Sequence, residues 1–563
     1  MRFLAAGESA LVVELGNAID PELNARVLAL DRALAAEPFD GYLEAVPSYR
    51  SLLVFFDTER ACADSVEEHV RRLGAEGERV DRKPARLREV PTVYDGEDLE
   101  DVARRIGATV EEVVRLHSDR EYLVYMVGFT PGFAYMGSTH ERLGLPRRSS
   151  PRTRVPAGSV GIAMGQTGIY PSATPGGWNL LGRAEHRRLF DLSRDPPSYF
   201  LPGDRVRFVP VDSLPDYPEV AAPLRASSAS TLEVLDGGLL TTVQDLGRGG
   251  YQRYGVPVAG AADSRALRAA NHLVGNDPGA AGLECTVSGP SLAALRPMVA
   301  AVTGADLGAV VERSDLGRVE VPPWSSFLLR PGNVLRFEGR RSGARAYVAF
   351  AGGIDLPEVL GSRSTYLTAG FGGLEGRALR SGDRLGLGAS TRSAPPGLKW
   401  PRENRELQEE ETRIRLVLGP QDDYFTKEGL ATLSSSVYTV ASASDRMGLR
   451  FEGPALEHRP GDFVSDGIMQ GGIQVPPNGL PILMLADRAT MGGYPKIATA
   501  ALADLSRLAQ LLPGDRVRFR LVSREEARSA YLELREVPIS SRSPASDGSS
   551  FPSSPSVRRN QRP

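Results

Sequence analysis

A chain of 563 residues predicts three or four domains, and its composition is that of an ordinary globular protein. The formal net charge of −3 gives no bulk attraction to nucleic acid or to an anionic membrane, so neither is expected as a partner. Two cysteines, Cys62 and Cys285, cannot make a disulfide framework; with no apolar run of membrane-spanning length and no signal-peptide layout at the start, a cytoplasmic location is expected.

With 60 glycines, 42 prolines and few long helical patterns, the chain reads as mainly β. Residues 1–80 are expected to form a small α+β domain. It has a strand over 10–15, an amphipathic helix over 21–34 with Leu23, Val27, Leu30 and Leu34 on one side, a buried strand over 52–56 and a helix over 62–73. The order βαββα places helices on one face of a sheet. Residues 85–210 begin with a helix over 99–106. TVEEVVRLHS follows, where Thr109 is the N-cap and Glu112 completes a capping box. Short strands punctuated by Gly and Pro then predict a small barrel or sandwich. A Pro/Ala/Ser linker covers 211–229. The next domain, 230–390, contains a short helix with Asp263 as N-cap and Gly275 as its stop, then mostly strands. A polar linker at 391–411 leads to a last β-rich unit at 412–525. Residues 538–563, rich in Ser, Pro and Arg, are expected to be disordered.

The most informative pattern is internal. LPGDRVRF occurs at Leu201–Phe208 and again at Leu512–Phe519. Upstream of each lies a second match, VPAG…TPGGW at Val155–Trp178 and VPPNG…TMGGY at Val475–Tyr494. A generic Pro-Gly-Asp turn explains one match but not an ordered pair, so each half contains a related β unit. LRPGNVLRF at Leu329–Phe337 is a weaker echo.

No P-loop, dinucleotide fingerprint, nucleophile elbow or metal-ligand spacing is present. His117 ends an amphipathic helix and reads as structural. What remains is polar residues beside Gly-rich turns: Arg154, Gln166, Thr167, Tyr170, Trp178 and Asn179 in the first half. Gln166 and Thr167 either orient a ligand or line a barrel wall. Gln244, Asp245, Arg248 and Tyr254 open the second half, where Asp245 and Arg248 read as a turn ion pair. Asn271, mildly unfavourable inside a helix, implies a specific contact; Glu284 sits at an apparent strand start. From 467 to 510 the chain reads strand, turn, strand, Gly-rich loop, helix. Asp487 stands where a strand leaves the core, and Gln470 and Gln474 flank a Gly pair. Gly492, Gly493 and Tyr494 lead into a helix expected to start at Pro495, with Ile497, Ala500, Ala501, Leu505 and Leu508 on its apolar side. Lys496 at that helix start makes a candidate anion site. The two halves are expected to face each other across a cleft. Asp487, Lys496, Gln474 and Asn271 would line it opposite Arg154, Gln166 and Trp178, with Lys496 exposed and unimportant for folding.

YMVGFTPGFAYMG with RTRVPAGSVGIAMGQTGIYPSATPGGWNLLGR resembles the allophanate hydrolase subunit 1, or KipI-like, domain. TTVQDLGRGGYQRYGVPVAGAADSRALRAANHLVGN with GGIQVPPNGLPILMLADRATMGGYPKIA resembles the subunit 2, or KipA-like, domain. These are associated with the B and C subunits of bacterial 5-oxoprolinase, here fused over about residues 1–525; a similar pair forms the carboxyltransferase region of urea carboxylase. The resemblance implies two cyclophilin-like β-barrels. It also implies ATP, with magnesium as counter-ion, used to open 5-oxo-L-proline to L-glutamate with a separate 5-oxoprolinase A subunit of the LamB/YcsF type. Lys496, Asp487 and Arg154 are the catalytic candidates, and a homo-oligomer is compatible with the pattern. Two alternatives remain. One is a carboxyltransferase taking CO₂ from carboxybiotin to urea or another amide, with biotin on a separate carrier. The other is a non-catalytic regulator of a sensor histidine kinase, which the fusion of inhibitor and antagonist disfavours.

Overall fold

The computed structural model describes residues 1–76, 85–148, 150, 152–214, 230–390, 392, 394–401, 410–459 and 463–536. The 538–563 tail, residues 215–229 of the first linker and 402–409 of the second lie outside the described residues.

The N-terminal sheet runs in the order Arg2–Ala5, Ala10–Glu14, Ser51–Phe56, Tyr42–Pro47. Strand alternation turns Leu11, Val13, Leu52, Val54 and Phe56 onto Val27, Leu30 and Leu34 of the helix Pro21–Ala36 and Val66 and Val70 of the helix Ala63–Glu76. Asp20 caps the first helix by accepting from Leu23 N at 2.8 Å. The expected order lacked the leading strand, RFLA, which is too short to show a period. The opposite sheet face, with Val12, Val46 and Leu53, is also covered, because it packs on the first barrel.

Two closed seven-stranded barrels follow, one per half. The first closes as Gln166–Ile169, Ala134–Gly137, Tyr122–Val127, Arg205–Pro210, Leu87–Val93, Asn179–Ala184, Ser159–Ala163. The second closes as Glu411–Leu418, Lys496–Ala500, Gly472–Gln474, Ile482–Met484, Gly448–Glu452, Val437–Val440, Arg516–Leu521. Taken in chain order, the two match strand for strand. Each contains one parallel pair, Arg205–Pro210 on Leu87–Val93 and Arg516–Leu521 on Glu411–Leu418. The repeated LPGDRVRF supplies that strand in both. Its aspartate folds the turn by accepting from a backbone N–H three residues back, Asp204 from Leu201 at 3.0 Å and Asp515 from Leu512 at 2.8 Å. Each barrel also carries a two-stranded flap, Thr174–Gly176 on Arg152–Val155 and Met491–Gly492 on Asp466–Gly467.

Between the barrels, residues 230–387 form a six-stranded and a five-stranded sheet around Leu232, Val243, Leu283, Val302, Val348 and Phe350. The helix Ser264–Leu273 is capped by Asp263, which accepts from Ala266 N at 2.9 Å. The weak echo at Leu329–Phe337 supplies the strand Val334–Phe337 to the six-stranded sheet and builds no barrel.

One expected element is wrong. Pro495 starts no helix: Lys496–Ala500 is a strand, held between Gly472–Gln474 and Glu411–Leu418. Helix begins only after this strand, as a 3-10 turn Leu502–Asp504 followed by the short α-helix Leu505–Ala509. Pairing on both sides satisfies the backbone of this strand, and that long-range gain overrides the local Pro and Ala preference for helix.

Candidate active site at the junction of the two halves

The halves meet along a contact where many of the groups able to do chemistry gather. Gly128 is pressed so closely on Met491 that a β-carbon there would overlap that side chain. Met469 and Met491 of the second half complete a hydrophobic cluster with Tyr49, Tyr125, Phe133, Tyr135, Tyr170 and Trp178 of the first. Phe133 is its hub, with ring centroids 4.9 Å from Tyr135, 5.3 Å from Tyr170 and 5.5 Å from Trp178. All three contacts are edge-to-face, the arrangement ring quadrupoles favour.

Arg147 lies half-buried at this seam. Its Nη2 donates to Ser465 Oγ at 3.3 Å, and a β-carbon on Gly493 would stand 2.6 Å from the same nitrogen. A larger residue at 493 would push the Arg147 guanidinium from this position. Burial pushes the Tyr135 hydroxyl up to about 12, with Arg147 and a hydrogen bond to Ser465 pulling the other way. Tyr135 is therefore a neutral phenol at ordinary pH. The adjacent Arg148 is already neutralised: Asp98 accepts from Arg148 at 2.7 Å and from Arg152 at 2.8 Å. Arg154 is exposed on the flap that carries Gly176.

Behind the seam, Lys496 has no exposed surface and is paired with Asp466. Its Nζ also lies 5.2 Å from the Phe463 ring centroid. Gln421 braces both partners, its Nε2 donating to Asp466 at 3.2 Å and its Oε1 accepting from Lys496 N at 3.1 Å. Burial lowers the Lys496 pKa and raises that of Asp466, and in each case the other's charge opposes the shift. The expected exposed lysine at a helix start is thus corrected: Lys496 is a buried half of an ion pair on a barrel strand.

Asp487 is corrected as well. It is 2 % exposed and accepts from Arg446 Nε at 3.0 Å, and Arg446 is paired at the same time with Glu284. Glu284, inside the strand Gly282–Thr286 rather than at its start, also accepts from Ala262 N at 2.9 Å and from the Tyr347 hydroxyl at 2.8 Å. Burial works against both carboxylates. Glu284, with three hydrogen-bond donors on it and Arg345 3.7 Å away, is still held below its usual range by Arg446 and Arg345, whereas Asp487 is left raised. This cluster locks the sandwich to the second barrel.

The other expected residues divide by their partners. Gln166 Oε1 accepts from the Tyr49 hydroxyl at 2.7 Å, and buried Tyr170 and Trp178 belong to the aromatic layer. Thr167 donates to Gly161 O at 3.1 Å and stands 2.8 Å from His117 Nε2. With its own proton so used, Thr167 accepts from His117, and Tyr94 at 2.7 Å donates to Nδ1. Asn179 donates to Pro146 O at 3.1 Å and accepts from Arg105 at 3.2 Å. Gln474 packs against Gly492 and reaches Tyr494 O at 3.5 Å. Gln470, Gly492, Gly493 and Tyr494 are half-buried. Asn271 does not reach the junction. Its amide donates to Ala280 O at 2.7 Å and accepts from Asn276 at 2.9 Å, a wholly structural contact. Asp245 and Arg248 form no turn ion pair: Asp245 accepts from Ser362 at 2.6 Å and Ser364 at 2.5 Å, while Arg248 donates to the Ser364 carbonyl. Sequence reasoning missed Tyr49, Arg147, Gln421, Ser465 and Asp466. The repeat held a signal for the last two, since the flap strand Asp466–Gly467 is the counterpart of Arg152–Val155.

Residues 1–200 match the family model of the carboxyltransferase domain, subdomain C and D, and residues 254–521 that of subdomain A and B. The chain is 38 % identical over 307 residues to the C subunit of 5-oxoprolinase from Escherichia coli (strain K12), covering 53 % of this chain and 94 % of that protein. It is 40 % identical over 220 residues to the B subunit of 5-oxoprolinase from Bacillus subtilis (strain 168), covering 36 % of this chain and 90 % of that protein. Urea amidolyase of Saccharomyces cerevisiae is 31 % identical over 329 residues, 55 % of this chain but 18 % of its own length. Among solved structures, the crystal structure of TTHA0988 superposes with a TM-score of 0.80 at 38 % identity, covering 91 % of this chain and 100 % of that one.

Proposed function

Since the chain belongs to the carboxyltransferase-domain family that includes the B and C subunits of 5-oxoprolinase, we propose that it unites the work of those two subunits in one polypeptide. In this reading it activates the lactam of 5-oxo-L-proline, with ATP, for hydrolysis to L-glutamate by a complex that also contains a separate LamB/YcsF-type A subunit. The observation that carries the proposal is the junction itself. Arg147 of the KipI-like half lies against Ser465 and Gly493 of the KipA-like half, so neither half alone completes the site.

An amide is a poor electrophile, and activating its oxygen needs donors placed where negative charge develops. Lys496 cannot serve, because Asp466 holds it inside the barrel wall. Arg154, exposed on the flap strand Arg152–Val155, has no carboxylate partner among the described residues and is open to a phosphoryl group. The aromatic layer beneath keeps water from the seam and gives the ring of a small lactam an apolar floor. ATP would supply the phosphoryl group that turns the amide oxygen into a leaving group, with magnesium as its counter-ion.

The test mixes the chain with a LamB/YcsF-type protein, ATP and 5-oxo-L-proline and measures glutamate. Glutamate that depends on both proteins and on ATP is the expected result; none from the correct pair would sink the reading. The second reading, a carboxyltransferase for urea or another amide, draws on the likeness to urea amidolyase. It requires a biotinylated carrier, so the chain pulled from its host and blotted with streptavidin separates the two.

A further inference from the structure

We infer that Arg147 is the anchor for a carboxylate on the substrate, so that the junction takes a small cyclic amide bearing an acid group rather than a neutral amide. The inference rests on the proposed lactam-opening function and assigns a specificity-determining residue to it.

The argument begins with charge. Three arginines cluster on this edge of the first barrel. Arg148 and Arg152 share Asp98, but Arg147 has no carboxylate partner among the described residues. Among the described residues its single hydrogen bond is the 3.3 Å contact to Ser465, and its buried Nε has no partner there. A guanidinium has five N–H donors in a rigid fork that matches a carboxylate two bonds at a time. Leaving such donors unmet at a half-buried position is costly unless something arrives to meet them.

The surroundings are arranged for an anion. Asp466, the acid that follows directly on Ser465, would repel one. It is instead held against Lys496 and Gln421, with Arg50 adding to its field. The neighbouring phenols of Tyr49, Tyr135 and Tyr170 all have raised pKa values, caused first by burial, and so bring no negative charge. Gly493 leaves the guanidinium face clear of any side chain at that position. A ligand such as urea has no group to neutralise Arg147. A lactam acid has one, and its ring can lie toward the aromatic layer.

The same oxyanion chemistry could come from a nucleotide phosphate, and kinetics on the assembled complex distinguish the sources. Arg147→Gln and Arg147→Lys complexes are compared with wild type, varying 5-oxo-L-proline and ATP separately. Arg147→Gln is expected to raise the KM for 5-oxoproline about 10- to 100-fold, the loss of a charge-assisted pair, with the KM for ATP nearly unchanged and Arg147→Lys between. An unchanged KM for 5-oxoproline, or a rise confined to ATP, overturns the anchor. Calorimetric titration of the full chain with 5-oxo-L-proline and its neutral primary amide supplies a readout independent of turnover. Wild type should prefer the acid and Arg147→Gln should lose that preference; equal preference in both overturns the inference. If the wild-type complex makes no glutamate, the functional reading falls, and the titration still decides the anchor. Circular dichroism confirms that both variants fold.

Discussion

Lys496 is one of four lysines in the chain, and it has no surface exposed to water. At such a site the two ends of an ion pair cannot be judged separately, because removing one leaves the other as an uncompensated buried charge. Lys496→Ala should therefore cost about 3–5 kcal/mol, the reverse of the unchanged melting temperature expected for an exposed lysine. Lys496→Met combined with Asp466→Asn removes both charges and should recover most of that loss. Urea unfolding of the two variants measures it. A single variant within about 0.5 kcal/mol of wild type, the range of ordinary surface changes, would show that the pair does not stabilise the barrel.

At the scale of elements, the helix Val110–Ser118 plugs the first barrel with His117, which is fully buried. The imidazole packs 4.6 Å from Phe208 and 5.3 Å from Tyr122 between ring centroids. Thr109 caps the helix by accepting from Glu112 N at 3.2 Å, but Glu112 turns its carboxylate to Arg142 at 2.6 Å, so half of the expected capping box forms. Burial, with Arg120 adding to it, lowers the His117 pKa to about 3. A neutral buried histidine contributes stability above its unfolded pKa near 6.5. That stability is lost as pH falls from about 6.5 toward 3, because the unfolded chain takes up the proton first. Between pH 7 and pH 5 the loss should be about 2 kcal/mol. In His117→Gln that share of the pH dependence should vanish. Equal slopes for wild type and variant in chemical denaturation would mean that His117 does not titrate in this way.

The whole molecule is held together across its halves by polar contacts as well as by the aromatic layer. Glu44 accepts from Gln252 Nε2 at 2.6 Å, and Gln252 in turn accepts from Arg488. Asp31 pairs with Arg253, and Glu8 accepts from Leu502 N at 2.6 Å. These contacts join the N-terminal domain to the second half independently of the linker. A protease site placed within 215–229 of the full chain should therefore give, after cutting, two fragments that still co-elute in size-exclusion chromatography. Separation of the fragments under native conditions would show that covalent fusion, rather than the interface, holds the site.

Much of the architecture was written locally or by repetition. The Asp20, Thr109 and Asp263 caps use side chains that bond within their own turn, and the repeated LPGDRVRF carries its own turn and strand, so both could be read one segment at a time. The same repeat aligned TPGGW and the strand after it with TMGGY and Lys496–Ala500, a stronger guide than the local helix signal at Pro495. What a polar side chain is free to do was decided only by tertiary packing. Asn271 and Lys496 carry groups that could hold a ligand, yet both are consumed by partners brought in from elsewhere in the fold. Arg147 is one of a run of arginines in sequence and has no carboxylate partner among the described residues, because Asp98 is paired with Arg148 and Arg152 instead. A residue's type travels with the chain, but its availability depends on distances across the barrel junction that no local pattern encodes.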